Sequence, residues 1–344
     1  MLKKAANAVL CCLLIAGSGT AGAEAPHTGY PVTLDNCGDP QTFEQAPQRV
    51  VTLGQHETEL LLSLGLAERM VGSAIWFGPV APQLRQDNAR VPRLNDNAPS
   101  FEAVLATRPD FVAAQYSYHL GPNGEVAGRD QFEALGINTW VSPSDCVGKS
   151  VTASSNSDGA RSEPFSMALI EREIRQMARI FDVQVRGEAL MASLEERIAK
   201  ARTLADSVRD GDEPLTVVYW FSSATLDGDP WVAGNVGAPA VVSKALGLDN
   251  VIDSDQEWPA VSWERIAAAN PDVLVITEMA RRLYPADDVQ AKRDFLRSDP
   301  LTRQLDAVQN ERIIVVPAQT LNPSLRVVEA IETVAGALAQ YTEE

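Results

Sequence analysis

Two stretches of this chain, 162 residues apart, carry one pattern: Ser100-Phe101-Glu102-Ala103-Val104 leading to Pro109-Asp110, and Ser262-Trp263-Glu264-Arg265-Ile266 leading to Pro271-Asp272. In both, Glu stands seven residues before Pro, and Pro-Asp opens an apolar run, Phe111-Val112-Ala113-Ala114 or Val273-Leu274-Val275-Ile276. The pattern spells a Ser helix cap, a Glu in the first turn, a break at Pro and a buried strand. A second pair, Leu64-Gly65-Leu66 and Leu246-Gly247-Leu248, closes an apolar helical pattern with Gly at the C-cap. This pair is offset by 182 residues, so the first half carries about 20 extra residues between the two landmarks. The chain therefore has two lobes of like plan, each offering one carboxylate at the start of a corresponding helix.

The remaining periodicities fill in an α/β fold with parallel sheets. In the first lobe, strands are expected over 49–53, 70–75, 110–115 and 137–141, with helices over 57–64, from Ser100, and near 130–135. The Ser- and Gly-rich stretch 149–164 reads as a mobile loop. Two helices follow, 166–181 and 186–208. The second keeps Leu190, Leu194, Ile198, Ala201, Ala205 and Val208 on one stripe, with no Gly or Pro after Gly187 in its first turn. At 1.5 Å per residue it spans about 30 Å, enough for a stiff connector. The second lobe restarts at 215–221 and continues through a helix over 238–246, strands over 250–252, 272–277 and 312–317, and a closing helix over 327–341. The expected division is 24–165 for the first lobe, 166–210 for the helical region and 211–344 for the second lobe. A ligand cleft lies between the lobes, where the strand ends of two Rossmann-like sheets face each other.

Residues 1–23 belong to neither lobe. Lys3 and Lys4 precede an apolar stretch over 8–15, and small residues follow it up to Ala21-Gly22-Ala23, the pattern of a cleavable secretory signal. The stretch is too short to stay as a membrane span. Cys11 and Cys12 would leave with it, so Cys37 and Cys146 remain in an oxidising compartment, where an even pair reads as one disulfide and two free thiols are the alternative. The formal charge is −17, and −19 without the two signal lysines. Nucleic acid and anionic membranes are disfavoured as partners, and neutral or cationic ligands are weakly favoured.

Enzyme signatures are missing. His56-Glu57-Thr58-Glu59-Leu60 starts like a zinc-protease motif but has Leu60 where the second His belongs, and beyond the signal stretch there is no G-x-S-x-G elbow, Walker loop or G-x-G-x-x-G fingerprint. Three histidines are thin for a dedicated metal site, and no resident cofactor is expected. Aromatics are better placed. Trp76 and Phe77, Tyr116 and Tyr118, and Trp220 stand at strand ends, and Trp231 lies in a Gly- and Asp-rich loop. Carboxyl ends of strands are where open α/β sheets bind ligands, so these are cleft candidates, with core packing the alternative for each. Gln55 and His56 open a helix where polar groups meet a ligand or simply cap it. Arg326, before the last helix, fits an acidic ligand group or a surface pair.

Taken together, residues 49–53, Glu57-Thr58-Glu59-Leu60, Leu64-Gly65-Leu66, Val71-Gly72, both Ser-x-Glu…Pro-Asp stretches, Trp258-Pro259 and the long central helix resemble the periplasmic substrate-binding proteins of ABC importers for ferric siderophores, haem and cobalamin. The resemblance covers roughly 47–340. Tyr30-Pro31-Val32-Thr33 with Asn36-Cys37-Gly38 is similar to the iron-chelate branch, which implies a ferric siderophore as ligand, with haem, cobalamin or another bulky metal cofactor as alternatives. The resemblance further implies a monomeric periplasmic carrier without catalysis. Its Glu102 and Glu264 would dock onto arginines of the two permease subunits, where dipole complementation alone is the competing role. A periplasmic metallochaperone or enzyme using the same cleft is the contending class, and it would need converging titratable groups.

Overall fold

The computed structural model describes residues 27–121, 124–150, 159–207 and 213–341. The expected signal segment lies outside them, as do the middle of the Ser-rich stretch and Val208 of the long helix.

A hairpin of β1 (Val32–Asn36) and β2 (Asp39–Phe43) leads into the first lobe. Then follow β3 (Val50–Leu53), α1 (Gln55–Ser63), β4 (Met70–Ala74), the one-turn α2 (Arg85–Asn88), β5 (Arg93–Asn95), α3 (Phe101–Ala106), β6 (Phe111–Ala114), α4 (Arg129–Glu133), β7 (Asn138–Val141) and α5 (Pro143–Cys146). Strands β3 to β7 form one parallel sheet in the order β5-β4-β3-β6-β7. Where a mobile loop was expected, β8 (Lys149–Ser150) and β9 (Ala160–Arg161) pair antiparallel.

Helices α6 (Met167–Ile180) and α7 (Gln184–Ser207) carry the chain across. The second lobe holds β10 (Thr216–Ser222), β11 (Trp231–Val232), α8 (Ala238–Leu246), β12 (Asp249–Asn250), α9 (Trp263–Ala269), β13 (Val273–Glu278), α10 (Val289–Ser298), the short α11 (Asp306–Gln309), β14 (Ile313–Pro317) and α12 (Val327–Gln340). Its parallel strands run β12-β10-β13-β14, the same succession as β4-β3-β6-β7. Among the described residues, β11, antiparallel to the end of β10, has no counterpart in the first sheet, and β5 has none in the second.

The repeated motif works alike in both lobes. Ser100 Oγ accepts from Ala103 N at 3.2 Å and Ser262 Oγ from Arg265 N at 3.4 Å, capping α3 and α9. Each helix closes through a left-handed residue before its Pro, Arg108 at φ 52° and Asn270 at φ 43°. The Asp that follows has a role its position did not reveal. Asp110 accepts from Gln48 N and Arg49 N at the start of β3, and Asp272 accepts from Thr216 N at the start of β10. Each carboxylate thus ties the strand it opens to the neighbouring strand. Gly65 and Gly247 both take left-handed backbone after α1 and α8, at φ 70° and 64°, which suits residues without Cβ.

Both sheets are buried on both faces, so their strands alternate between two cores rather than between core and water. Val50, Phe111, Val217, Tyr219 and Val275 point to a single core shared by both lobes and filled from the other side by Ile174 and Met177 of α6, Leu194 of α7, and Ile331 and Val334 of α12. Val51, Leu53 and Val112 face an outer core of the first lobe, and Val218, Trp220 and Leu274 one of the second. The long helix is therefore part of a spine along both sheets, fastened to α12 by the forked pair Arg197–Glu332 at 2.8 and 2.6 Å. Cys37 and Cys146 are bonded, with Cα atoms 5.7 Å apart, and the Asn36 side chain exchanges two 2.8 Å hydrogen bonds with Val141, continuing the edge of β7. Among the described residues no helix is long and apolar enough to cross a membrane.

Candidate functional site

The carboxyl ends of β3, β4 and β6 and of β10, β13 and β14 carry the loops that meet between the lobes. The first lobe's rim is set by Gln55. Its amide nitrogen donates to Pro79 O at 3.0 Å, and its oxygen accepts from Phe77 N and Gly78 N at 3.3 and 3.1 Å, fixing the loop after β4. Gly54 before it sits at φ 125°, and a Cβ there would stand 2.4 Å from Gln115 Cβ, so the turn from β3 into α1 requires glycine. After β6, Tyr116 and Tyr118 stack at 5.3 Å and 13°, with Phe77 meeting Tyr116 edge-on at 6.2 Å. Tyr118 is 49% exposed. This is an aromatic face held rigid from behind.

The second lobe supplies a matching edge from a loop the sequence did not single out. Asp287 Oδ2 accepts from Leu283 N and Tyr284 N, while Ser222 donates to its other oxygen. The clamp leaves Leu283 82% exposed and Tyr284 41% exposed, with Tyr284 meeting Trp231 edge-on at 5.2 Å. From the same loop Arg281 crosses to the first lobe and donates to Trp76 O and Asp96 O, both at 3.1 Å, and to Asn97 Oδ1. A second crossing runs the other way. Arg161 on β9 donates through its backbone to Asp255 O and through its guanidinium to the buried Glu257.

Several predicted cleft residues are placed elsewhere. Trp220 is fully buried in the outer core against Trp263 at 4.8 Å, and Trp76 is buried under Arg93. Neither presents a face to a ligand. The reason is the double-sided sheet: a side chain near a strand end points into one of two cores as readily as it points past the edge. His56 is buried beside Glu173 at 2.9 Å, and Arg326 pairs with Glu329 at 2.6 Å and Glu59 at 3.4 Å. Gln55 is buried as the loop clamp just described. Phe77, Tyr116, Tyr118 and Trp231 retain exposed surface at the rims. Glu102 and Glu264 are both exposed in the first turns of α3 and α9. The Glu102 carboxyl lies below its ordinary range because its own backbone N–H and Ser100 hydrogen-bond its charged form.

Two buried bases shape the rims. Lys292 donates to Phe221 O, Thr277 O and Thr277 Oγ1, gathering the ends of β10 and β13, while burial brings it down to about 7 against the pull of Asp287. His119 lies under Tyr118, ring centres 4.1 Å apart, and burial lowers it to about 4. A folded value below the unfolded 6.5 means that stability present above pH 6.5 is lost as pH falls towards 4, because only the unfolded chain takes the proton. The loss is about 3 kcal/mol. Thermal unfolding of wild type and His119→Gln at pH 7 and pH 4 checks this, and the variant should lose that part of the acid sensitivity.

The family model for periplasmic binding proteins matches residues 50–320, and the chain belongs to that family. A cobalamin-binding protein of Halobacterium salinarum is 24% identical over 98% of this chain and 85% of its own length. Among solved structures, a periplasmic binding protein from Veillonella parvula has a TM-score of 0.74 at 23% identity, covering 90% of this chain and 97% of that one. An ABC-type Fe3+-hydroxamate transport protein from Saccharomonospora viridis has a TM-score of 0.68 at 24% identity, covering 90% and 99%. These neighbours share the two-lobed fold.

Proposed function

We propose that this protein is an exported carrier that holds one bulky metal chelate between its lobes and passes it to the permease of an ABC importer. The supporting observation is the pair of aromatic rims, Phe77 with Tyr116–Tyr118 on the first lobe and Trp231–Tyr284 on the second, with Arg281 joining the Tyr284 loop to the segment that leads into Phe77. Rigid aromatic edges suit a ligand with broad apolar or π surface. The cobalamin relative and the hydroxamate structural neighbour favour the same class.

Charge narrows the class. Among the described residues, the cations on and beside these loops are already engaged: Arg93 with Asp96, Lys149 with Asp145, Arg161 with Glu257 and Arg282 with Asp288. Arg281 spends its donors on three oxygens of the first lobe. A multiply anionic tricatecholate would lose its hydration without finding a free cation. A corrinoid or neutral ferric hydroxamate would not. The iron-chelate motif at the N-terminus supports the hydroxamate, and the cobalamin relative supports the corrinoid.

Tryptophan fluorescence titration with cyanocobalamin, a ferric hydroxamate, haem and a ferric tricatecholate tests the reading. One of the first two should bind with micromolar or tighter affinity, about −8 kcal/mol or better. Tyr118→Ala and Tyr284→Ala should each weaken it several-fold to tenfold, the range of about 0.5–1.5 kcal/mol for an aromatic contact. Tight binding of the tricatecholate alone, or no effect of either tyrosine, contradicts it.

A further inference from the structure

Glu57 and Glu173 are both fully buried, and three of their four carboxylate oxygens, Glu57 Oε1 and Oε2 and Glu173 Oε1, meet no hydrogen-bond donor. With His56 they form a group in which one ring nitrogen and one oxygen from each carboxylate all lie within 4.8 Å of one another. Four segments meet here: α1 brings His56 and Glu57, α6 brings Glu173, the end of β7 brings Ser142, and the approach to α12 brings the backbone of Leu325. Two ionised carboxylates this close in a buried site repel each other and forfeit much of their hydration. Either a divalent cation or a proton relieves both.

His56 decides between them. Its Nδ1 accepts from Leu325 N at 3.3 Å, so that nitrogen carries the lone pair and Nε2 carries the proton of the neutral ring. Nε2 stands 2.9 Å from Glu173 Oε2 and donates to it, and Ser142 Oγ donates to the same oxygen at 2.8 Å. A metal at Nε2 would need the proton on Nδ1, against the Leu325 N–H. The ring is set to donate rather than to ligate. Glu173, receiving two donors, is the ionised partner.

We propose that Glu57 and Glu173 form a buried proton-binding site in which Glu57 remains a carboxylic acid and donates its O–H to Glu173 Oε1. One proton then supplies the missing donor, and Glu173 carries its charge on three donated hydrogen bonds. Burial, followed by the Glu173 charge and its hydrogen bond, raises Glu57 well above the ordinary carboxyl value. Of the other charged groups on these segments, Glu59 of α1 and Glu329 of α12 both pair with Arg326, Glu332 of α12 pairs with Arg197, and Glu171, Arg172, Arg175 and Arg179 of α6 are half-buried or exposed. The site joins the floor of the cleft, through Gln55 and its loop, to the helical spine.

The sign of the linkage follows. A folded value above the unfolded 4.5 contributes stability that is fully present below pH 4.5 and is lost as pH rises towards the folded value. Glu57→Gln keeps the shape and the donor but not the titration. The test is thermal and denaturant unfolding of the full mature chain and of Glu57→Gln from pH 4.5 to 9, with elemental analysis of the purified wild type for zinc, manganese and iron. The two chains should be near equal at pH 4.5, and the variant's folding constant should gain about tenfold per pH unit over wild type above that. Wild type should hold no stoichiometric metal in this group. Its infrared spectrum at pH 8 should keep a protonated-carboxyl band, which tests the site even if the variant does not fold. A pH-independent gap, absence of that band, or a stoichiometric metal that stabilises the chain and is lost in Glu57→Gln overturns the proposal.

Discussion

A chain carrying Glu102→Arg and Glu264→Arg together should deliver no ligand through its transporter, while its affinity for that ligand in solution stays unchanged. The two carboxylates sit at equivalent exposed positions in the first turns of α3 and α9, one on each lobe. A two-fold permease with paired basic sockets would engage both at once. Each contact alone is an exposed ion pair worth about 1 kcal/mol or less, so either single substitution should cost only a few-fold. Reversing both replaces attraction by repulsion at two points. Uptake by cells lacking the native carrier measures delivery, and fluorescence titration measures capture. Normal uptake by the double variant, or loss of its ligand affinity, removes the docking assignment.

The second large effect is on stability. Cys37 and Cys146 are 109 residues apart in sequence, and their bond closes a loop running from the N-terminal hairpin through the whole first sheet to α5. In the chain-entropy account a loop of this length stabilises by about 4–5 kcal/mol. Cys37→Ser with Cys146→Ser should lower the unfolding free energy by that amount in denaturant titration. The bonds of Asn36 and Gln41 to β7 should keep the hairpin in place in the folded variant. A change below about 1 kcal/mol would show that the hairpin is held by those contacts instead.

The repeat made the architecture legible. Two copies of Ser-x-Glu…Pro-Asp imposed the same cap, break and buried strand twice, and the two sheets share one strand succession. The site was legible only in part. Tyr116 and Tyr118 sit on the loop just after β6, beyond the last buried strand residue, and they reach the rim. Trp220 is followed by two more residues of β10, so the alternation of that strand carries it into the outer core. Arg281, Leu283 and Tyr284 escaped notice because their loop has no periodicity, and only the Asp287 clamp gives it shape. Glu173 did leave a signal. It stands between Ile170 and Met177 on the apolar stripe of α6, where a charge needs a buried partner, and that partner lies more than 100 residues away in sequence.

Native mass spectrometry of the protein purified from the periplasm of its own cells bears most directly on the claim that the cleft carries a metal chelate. One intact metal chelate per chain, released on unfolding and reduced in Tyr118→Ala and Tyr284→Ala, is the predicted result. A chain that carries only a bare metal ion, or that converts added chelate to a new product over many turnovers, would contradict it.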